Sequence, residues 1–461
     1  MKLIQKFKSY NYGSTNYVYQ FENGLKLLVT EKTDIRDFYA AIVFKAGALI
    51  ENQIGVTDGT SHFLEHLMVF SPSSYFKSVD AKKEFMYGNL SRPEVNYNGA
   101  TSKYAMWVHS NSQIKGKDRV MKMLKGYIDS SEKDFKVTIE KERSIILSES
   151  KRMVKKEKDA GYHYRQFFFG ELYPEFVKYV IGEYDQIESI SLEELVKFRA
   201  EIAKGKNAII AIQTNKWPDK ALIRDIKEVA EYFNNKKSSI DYKVVPYKNH
   251  FKYKHFKDED KRDIFISYNV FLPKRLNIDY RLEAIEEFAQ SLMSKTVFEH
   301  LREDKQLVYS GGAFDEYALV AHRNRGFSTS VPKEKLAELL DSIEHLLTTY
   351  WKEFLFSPKG DKWFRTIVSS YLFKSTTEFD LDFPKNMALD YMFDEELGYD
   401  YREATRAIKK ITREDVSKFL EEYLNIAPGL WLVSSHEDKE IYDILEASAF
   451  FKRISKLKDQ R

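Results

Sequence analysis

Apolar and polar residues alternate over 17–30, YVYQFENGLKLLVT, around the dipeptide Asn23-Gly24. The alternation predicts two strands, and Asn-Gly is a favoured hairpin turn. The apolar run 38–47, FYAAIVFKAG, predicts a buried strand ending at Gly47. The spacing then turns helical. In 58–70, DGTSHFLEHLMVF, Phe63, Leu64 and Leu67 bury one side of a helix that Asp58, Thr60 or Ser61 can cap. Residues 71–95 are polar and predict irregular chain. In 96–110 a turn at Asn98-Gly99 leads into a strand with Tyr104, Met106 and Val108 on one face. Helices are expected near 117–130 and 134–158, with Ile145 and Ile146 packed inward.

One ending occurs twice. Ser191 and Glu194 form a capping box, followed by a helix and the strand NAIIAIQ; Thr412 and Asp415 open a second cap, helix and apolar strand. Nearly half the chain separates them, which reads as an internal duplication. Two similar domains are expected, 1–233 and 244–461, joined near the polar stretch 234–243. In the second copy, a strand is expected at 262–272, a long helix at 278–304 and a strand pair within 307–331. Helices follow near 333–354, 359–378 and 384–396.

Composition narrows the function. Of 461 residues, 43% are hydrophobic and 15% aromatic, ample for real cores. The 73 basic and 70 acidic residues nearly cancel, at +3, so nothing points to nucleic acid. Without cysteine there is no disulfide, thiolate ligand or thiol nucleophile. No run approaches the length of a membrane-spanning helix. The first residues, MKLIQKFKSYNYG, have no long apolar run after their lysines, so no signal peptide is expected; the default location is the cytoplasm, or an organelle matrix if the chain is a processed form.

The chemistry gathers in 58–70. On a helix His62 and His66, at i and i+4, share a face, with Glu65 at its edge. Two imidazoles suit zinc, and a carboxylate beside the metal can deprotonate a bound water. The order is H-x-x-E-H. The plain alternative is an amphipathic helix with two solvated histidines. Glu142 and Glu149, in IEKERSIILSESKR, are two helical turns apart and share a face. One could complete a three-ligand zinc site, or both could be surface ion-pair partners. Spacing alone does not decide. The second copy has no H-x-x-E-H. There Arg302 and Tyr309, in FEHLREDKQLVYSGGAF, end a helix and open a strand, while His300 and His436 read as structural.

Together these features resemble the M16 family of metallopeptidases, which includes pitrilysin, insulin-degrading enzyme and the mitochondrial processing peptidase. Its H-x-x-E-H is followed, roughly 75 to 80 residues on, by a helix of form E-R-x-x-(I/V)-x-x-E. Here ERSIILSE runs from Glu142 to Glu149, slightly farther away. The resemblance implies His62, His66 and Glu149 as ligands of one zinc per chain, Glu65 as general base and Glu142 as supporting carboxylate. Asn98, Gly99, Ala100 and Thr101 are similar to the family's N-A-x-T strand, which pairs with substrate; Gly99 stands where Ala is usual and could loosen the start of that strand. LREDKQLVYS looks like the L-R-E-x-x-x-L-x-Y segment, which makes Arg302 and Tyr309 substrate- and oxyanion-binding residues reaching a site from an opposite half. LYPEFVKYVIGEYDQIESIS, with Gly182, resembles the stretch before the closing helix.

The implied fold is α+β, two duplicated α/β domains, each a mixed, largely antiparallel sheet packed with helices. The implied activity is zinc-dependent endopeptidase action on short or unfolded peptides. A single chain resembles half of the family's clamshell. A homodimer is therefore expected, with a heterodimer with a second M16 chain as the variant. The competing reading is a non-catalytic peptide-binding or structural homologue, or one subunit of a heteromeric processing complex.

Overall fold

The computed structural model describes residues 1–9, 13–89, 91–238, 240, 247–273, 279–319, 322–372, 383–394 and 401–457. Parts of the expected linker, and the ends of the helices expected at 359–378 and 384–396, lie outside them. Two sheets organise the chain. The first contains β1 (Lys2–Ser9), β2 (Ser14–Gln20), β3 (Lys26–Glu31), β4 (Asp37–Phe44), β5 (Asn96–Thr101), β6 (Met106–Gln113) and β7 (Ala208–Thr214), in the order β1-β2-β3-β7-β4-β6-β5. The second contains β8 (Lys252–Lys257), β9 (Ile264–Pro273), β10 (Gly311–Leu319), β11 (His322–Val331) and β12 (Gly429–Ser434), in the order β10-β11-β9-β12-β8.

The duplication is visible in these orders. Reading β8-β12-β9-β11-β10 against β3-β7-β4-β6-β5 matches strand for strand. Among the described residues each sheet has one parallel pair, β3 with β7 and β8 with β12, and every other strand pairing is antiparallel. This is the mixed, largely antiparallel α+β architecture expected. Both capping boxes form, Ser191 with Glu194 and Thr412 with Asp415. The β2–β3 hairpin aligns Val18 with Leu28 around Asn23-Gly24, where Gly24 has φ +86°.

Contacts divide the chain into two units. One comprises 1–155, 173–243 and 375–398; the other 156–172, 244–374 and 399–461. In the first unit, β4 explains why 38–44 does not alternate. Phe38, Ala40, Ile42 and Phe44 join the main core with Phe63, Leu64 and Leu67. Tyr39, Ala41 and Val43 bury on the opposite face beneath Ala388, Tyr391 and Met392 of the helix Phe383–Asp394. In the second unit, Ile264, Ile266, Tyr268 and Val270 of β9 face a core built on the helices Tyr280–Val297 and Arg413–Tyr423. The helix Ala160–Phe169 sets Tyr164 5.6 Å from Trp431 and Phe168 5.2 Å from Phe271, ring to ring.

Four expectations need correction. Residues 71–95 are not wholly irregular: Val79–Met86 is a helix capped by Ser78, whose Oγ accepts from Ala81 N. The chain does not turn at Asn98-Gly99, which lie inside β5. It reverses at 102–105, where the Ser102 hydroxyl accepts from Tyr104 N and Ala105 N. The helix expected over 134–158 ends at Met153. Of the two isoleucines expected to pack inward, only Ile146 is buried; Ile145 is exposed.

Candidate metal centre

The helix Thr60–Phe70 starts at Gly59, with φ +93°. A Cβ there would lie 2.6 Å from Ile181 O and 3.1 Å from Gly182 Cα, and one on Gly182, with φ +81°, would lie 2.7 Å from Asp58 O. Only glycines let these two turns pack backbone to backbone. The expected caps do not cap. Asp58 instead accepts from Lys178 Nζ at 3.0 Å and Gln186 Nε2 at 3.1 Å. The cap is the buried carboxylate of Glu51, which accepts from Gly59 N (3.0 Å), Ser61 N (2.7 Å) and Ser61 Oγ (2.6 Å). Phe63, Leu64 and Leu67 then bury fully. Each such side chain contributes roughly 1.5–3 kcal/mol.

The second ligand helix, Glu132–Met153, opens with a Ser131–Asp134 capping box. Phe135, Ile139 and Ile146 bury its inner face. Arg143 donates to Ile187 O (2.6 Å) and Ile190 O (2.9 Å), and its guanidinium lies 5.1 Å from the Phe63 ring centre. Ser150 Oγ donates to Gly182 O at 3.1 Å. Gly182 thus meets both helices.

These helices bring five expected residues together. The His62 and His66 rings are 4.8 Å apart. Glu149 Oε2 lies 4.0 Å from His62 Nε2 and 3.9 Å from His66 Nε2. Glu65 Oε2 is 4.0 Å from His62 Nε2. Behind them His66 Nδ1 is 3.1 Å from Glu142 Oε2, and Glu142 is 2% exposed. With Nδ1–H donating to Glu142, the Nε2 lone pair of His66 is left to a metal. Burial, with the neighbouring His66, pulls His62 down to about 3, so its imidazole is neutral. Burial also opposes protonation of His66, but the bond to Glu142 and the charges of Glu65 and Glu149 outweigh it and raise its pKa. Glu65 is pushed up to about 7, chiefly by burial.

The donor set fits zinc. Two ligands about 2.05 Å from a tetrahedral zinc would be about 3.4 Å apart, so 3.9–4.0 Å needs about half an ångström of closure. His62, Glu65 and His66 also form a cluster whose possible ligand atoms lie within 4.8 Å of one another. Glu149, with a third of its side chain exposed, stands on the open side.

Residues Asn98–Thr101 belong to β5, which among the described residues is the edge of the first sheet, with β6 on one side only. Gly99 sits against Glu65: a Cβ there would lie 2.8 Å from Glu65 Cδ. The glycine therefore makes room for the carboxylate, within a strand in which it pairs with Val108 of β6. Arg302 and Tyr309 lie in the second unit and meet each other. The Arg302 guanidinium is 5.5 Å from the Tyr309 ring centre and 5.0 Å from that of Phe298; Tyr309 is 87% exposed. His300 is buried in the same unit, its ring 4.3 Å from Tyr350. A cavity of about 870 Å³ there, floored by Ser267, Asn269 and Asn324, contains none of the site residues. Sequence patterns did not reveal Glu51, which acts on its helix from eight residues before Gly59.

Residues 189–354 match a family model described as the peptidase M16 inactive domain. That stretch includes Arg302 and Tyr309 and excludes all five residues of the metal centre. No curated protein matches the sequence. Among solved structures, the first half of the periplasmic protease PqqL from Escherichia coli superposes with TM-score 0.74 at 17% identity, over 96% of this chain and 97% of that one. A mutant of the ferredoxin protease FusC, in complex with Arabidopsis ferredoxin, gives 0.71 at 15%, over 99% and 52%. Pitrilysin gives 0.67 at 14%, over 100% and 51%. The chain therefore spans about half the length of FusC and of pitrilysin, and the likeness is one of fold. Among the described residues no helix is long and apolar enough to cross a membrane.

Proposed function

Since the chain is a half-length relative of the M16 peptidases, we propose that it is a zinc-dependent endopeptidase acting on short or unfolded peptides. The observation that carries this is the convergence of His62 Nε2, His66 Nε2 and Glu149 Oε2, with Glu142 fixing the tautomer of His66. When bound there, zinc would polarise the scissile carbonyl and acidify a water ligand. Glu65, beside His62, takes the proton of the attacking water and returns it to the leaving amine. The free edge of β5 adds the substrate as a further strand, which requires an extended peptide. Arg302 and Tyr309 of a second copy would hold substrate, the Tyr309 hydroxyl donating to the developing oxyanion. A homodimer is the simplest way to supply them.

The second reading, a non-catalytic homologue, is favoured by the description of the matched family domain as inactive. Against it stands the position of that match, which leaves out the whole metal centre. Elemental analysis separates the two. One zinc per chain in the purified protein, and much less in Glu149→Gln, is the expected result. Equal occupancy in both would remove Glu149 from the ligand set, and no zinc in either would favour the second reading.

A further inference from the structure

The metal-site helix Thr60–Phe70 begins at a residue that cannot cap it. Gly59 has no side chain because its backbone packs against Gly182. An ordinary helix would use Ser, Thr, Asp or Asn there. Glu51 takes that part from outside, receiving the N–H groups of Gly59 and Ser61 and the Ser61 hydroxyl. The other end has a counterpart. Lys82, on the helix Val79–Met86, donates to Ser71 O at 3.2 Å and Met68 O at 3.4 Å, both backbone oxygens at the end of the metal-site helix. Its ammonium lies 5.1 Å from the Tyr127 ring centre.

Both groups are inside the protein: Glu51 is 0% and Lys82 3% exposed. Among the described residues neither forms an ion pair. Such burial is costly for a charge unless something of opposite sign faces it. Here that partner is the helix itself. A carboxylate sits at the end where N–H groups are unsatisfied, an ammonium where carbonyls are. Burial opposes both charges, raising the pKa of Glu51 against the pull of its three donors and lowering that of Lys82.

We propose that Glu51 and Lys82 are positioning residues that clamp the metal-site helix at its two ends and so set where His62 and His66 present their imidazoles. His62 directly follows Ser61, which Glu51 holds by two bonds. His66 lies two residues before Met68. Both histidines stand between the held points, so slippage at either end moves a ligand. The clamp rests on the zinc-peptidase reading only for what the histidines hold.

Hydrogen exchange of the zinc-free protein tests the clamp without any metal. In Glu51→Gln, amides 60–64 should exchange at least tenfold faster, because the amide of Gln must turn a donor towards a donor; protection over 132–153 and 192–202 should stay as in the wild type. Lys82→Met should loosen the end near 68–71 in the same local way. Cobalt-substituted protein supplies a signature that mere destabilisation would not move. Its visible absorption should shift in both variants, a change in ligand geometry that loss of global stability alone would not produce, with metal affinity weakened about 10- to 100-fold. Should Glu51→Gln not fold, Ser61→Ala removes one of the three donors and should show the same pattern at smaller amplitude. Unchanged local exchange, or a loss of protection spread evenly over the unit, would overturn the clamp. A wild type that binds no metal would sink the peptidase reading while the exchange result still judged the clamp.

Discussion

Gly99 in the edge strand β5 is the seat of Glu65: a Cβ at position 99 would lie 2.8 Å from Glu65 Cδ, 2.9 Å from Cγ and closer still to Oε1. The carboxylate can yield only by rotating off the strand. Gly99→Ala, which installs the residue usual in the resembling family, should therefore displace the general base by about an ångström and lower kcat about 10- to 100-fold. Zinc content should not change, because Glu65 is not among the three ligands. Steady-state kinetics alongside metal analysis would show it. Full activity in Gly99→Ala would mean that the position of Glu65 seen here is not the working one.

The bond from His66 Nδ1 to Glu142 Oε2 yields a second expectation. Glu142→Gln keeps the shape and an acceptor but removes the charge that makes the imidazole a stronger ligand. Chelator competition should give a zinc affinity about 10- to 100-fold weaker, with little change in unfolding temperature for the metal-free protein. An unchanged affinity would reduce Glu142 to a packing residue.

Lys82 predicts a pH dependence of stability with a definite sign. Burial lowers its pKa in the folded chain to about 7, below the ordinary 10.5. Between these values the unfolded chain binds more protons, so this contribution to stability is fully present above 10.5 and is lost as pH falls towards 7. Lys82→Met cannot titrate. The difference in unfolding free energy, wild type minus Lys82→Met, should rise between pH 7.5 and 9 by about 1.4 kcal/mol per unit. A flat difference from denaturant titrations would show that Lys82 keeps an ordinary pKa.

What the sequence displayed, and what it hid, divides by the range of the interaction. Features written in neighbouring residues were legible: the Asn23-Gly24 hairpin, both capping boxes, the duplication and the H-x-x-E-H helix. The matched strand orders of the two sheets follow from that duplication. Features set by contacts between distant segments were not. Asn98-Gly99 resembles a turn, yet Gly99 is there for Glu65, thirty-four residues away in sequence. Asp58, Thr60 and Ser61 are good local caps, but the packing of Gly59 on Gly182 hands the task to Glu51. Lys82, beside Lys83 in a polar stretch, looks solvated until the helix Val79–Met86 folds it inward.

The expectation of a shared site can be tested by complementation. Glu65→Gln chains lack the base, and Tyr309→Phe chains lack the oxyanion donor. After subunit exchange, a mixed dimer would contain one site with both groups intact, and activity should partly return. No recovery from demonstrated mixed dimers, or a fully active monomer in light scattering, would defeat the two-copy arrangement.

The most direct measurement is the turnover of an unstructured peptide by the zinc-loaded wild type and by zinc-loaded Glu65→Gln, each against a chelator-treated blank. The expected result is cleavage by the wild type alone, abolished by chelation, with Glu65→Gln inactive despite equal zinc. Cleavage by Glu65→Gln at the wild-type rate, or none by a fully loaded wild type in its assembled form, would contradict the assignment of this site as a peptidase centre.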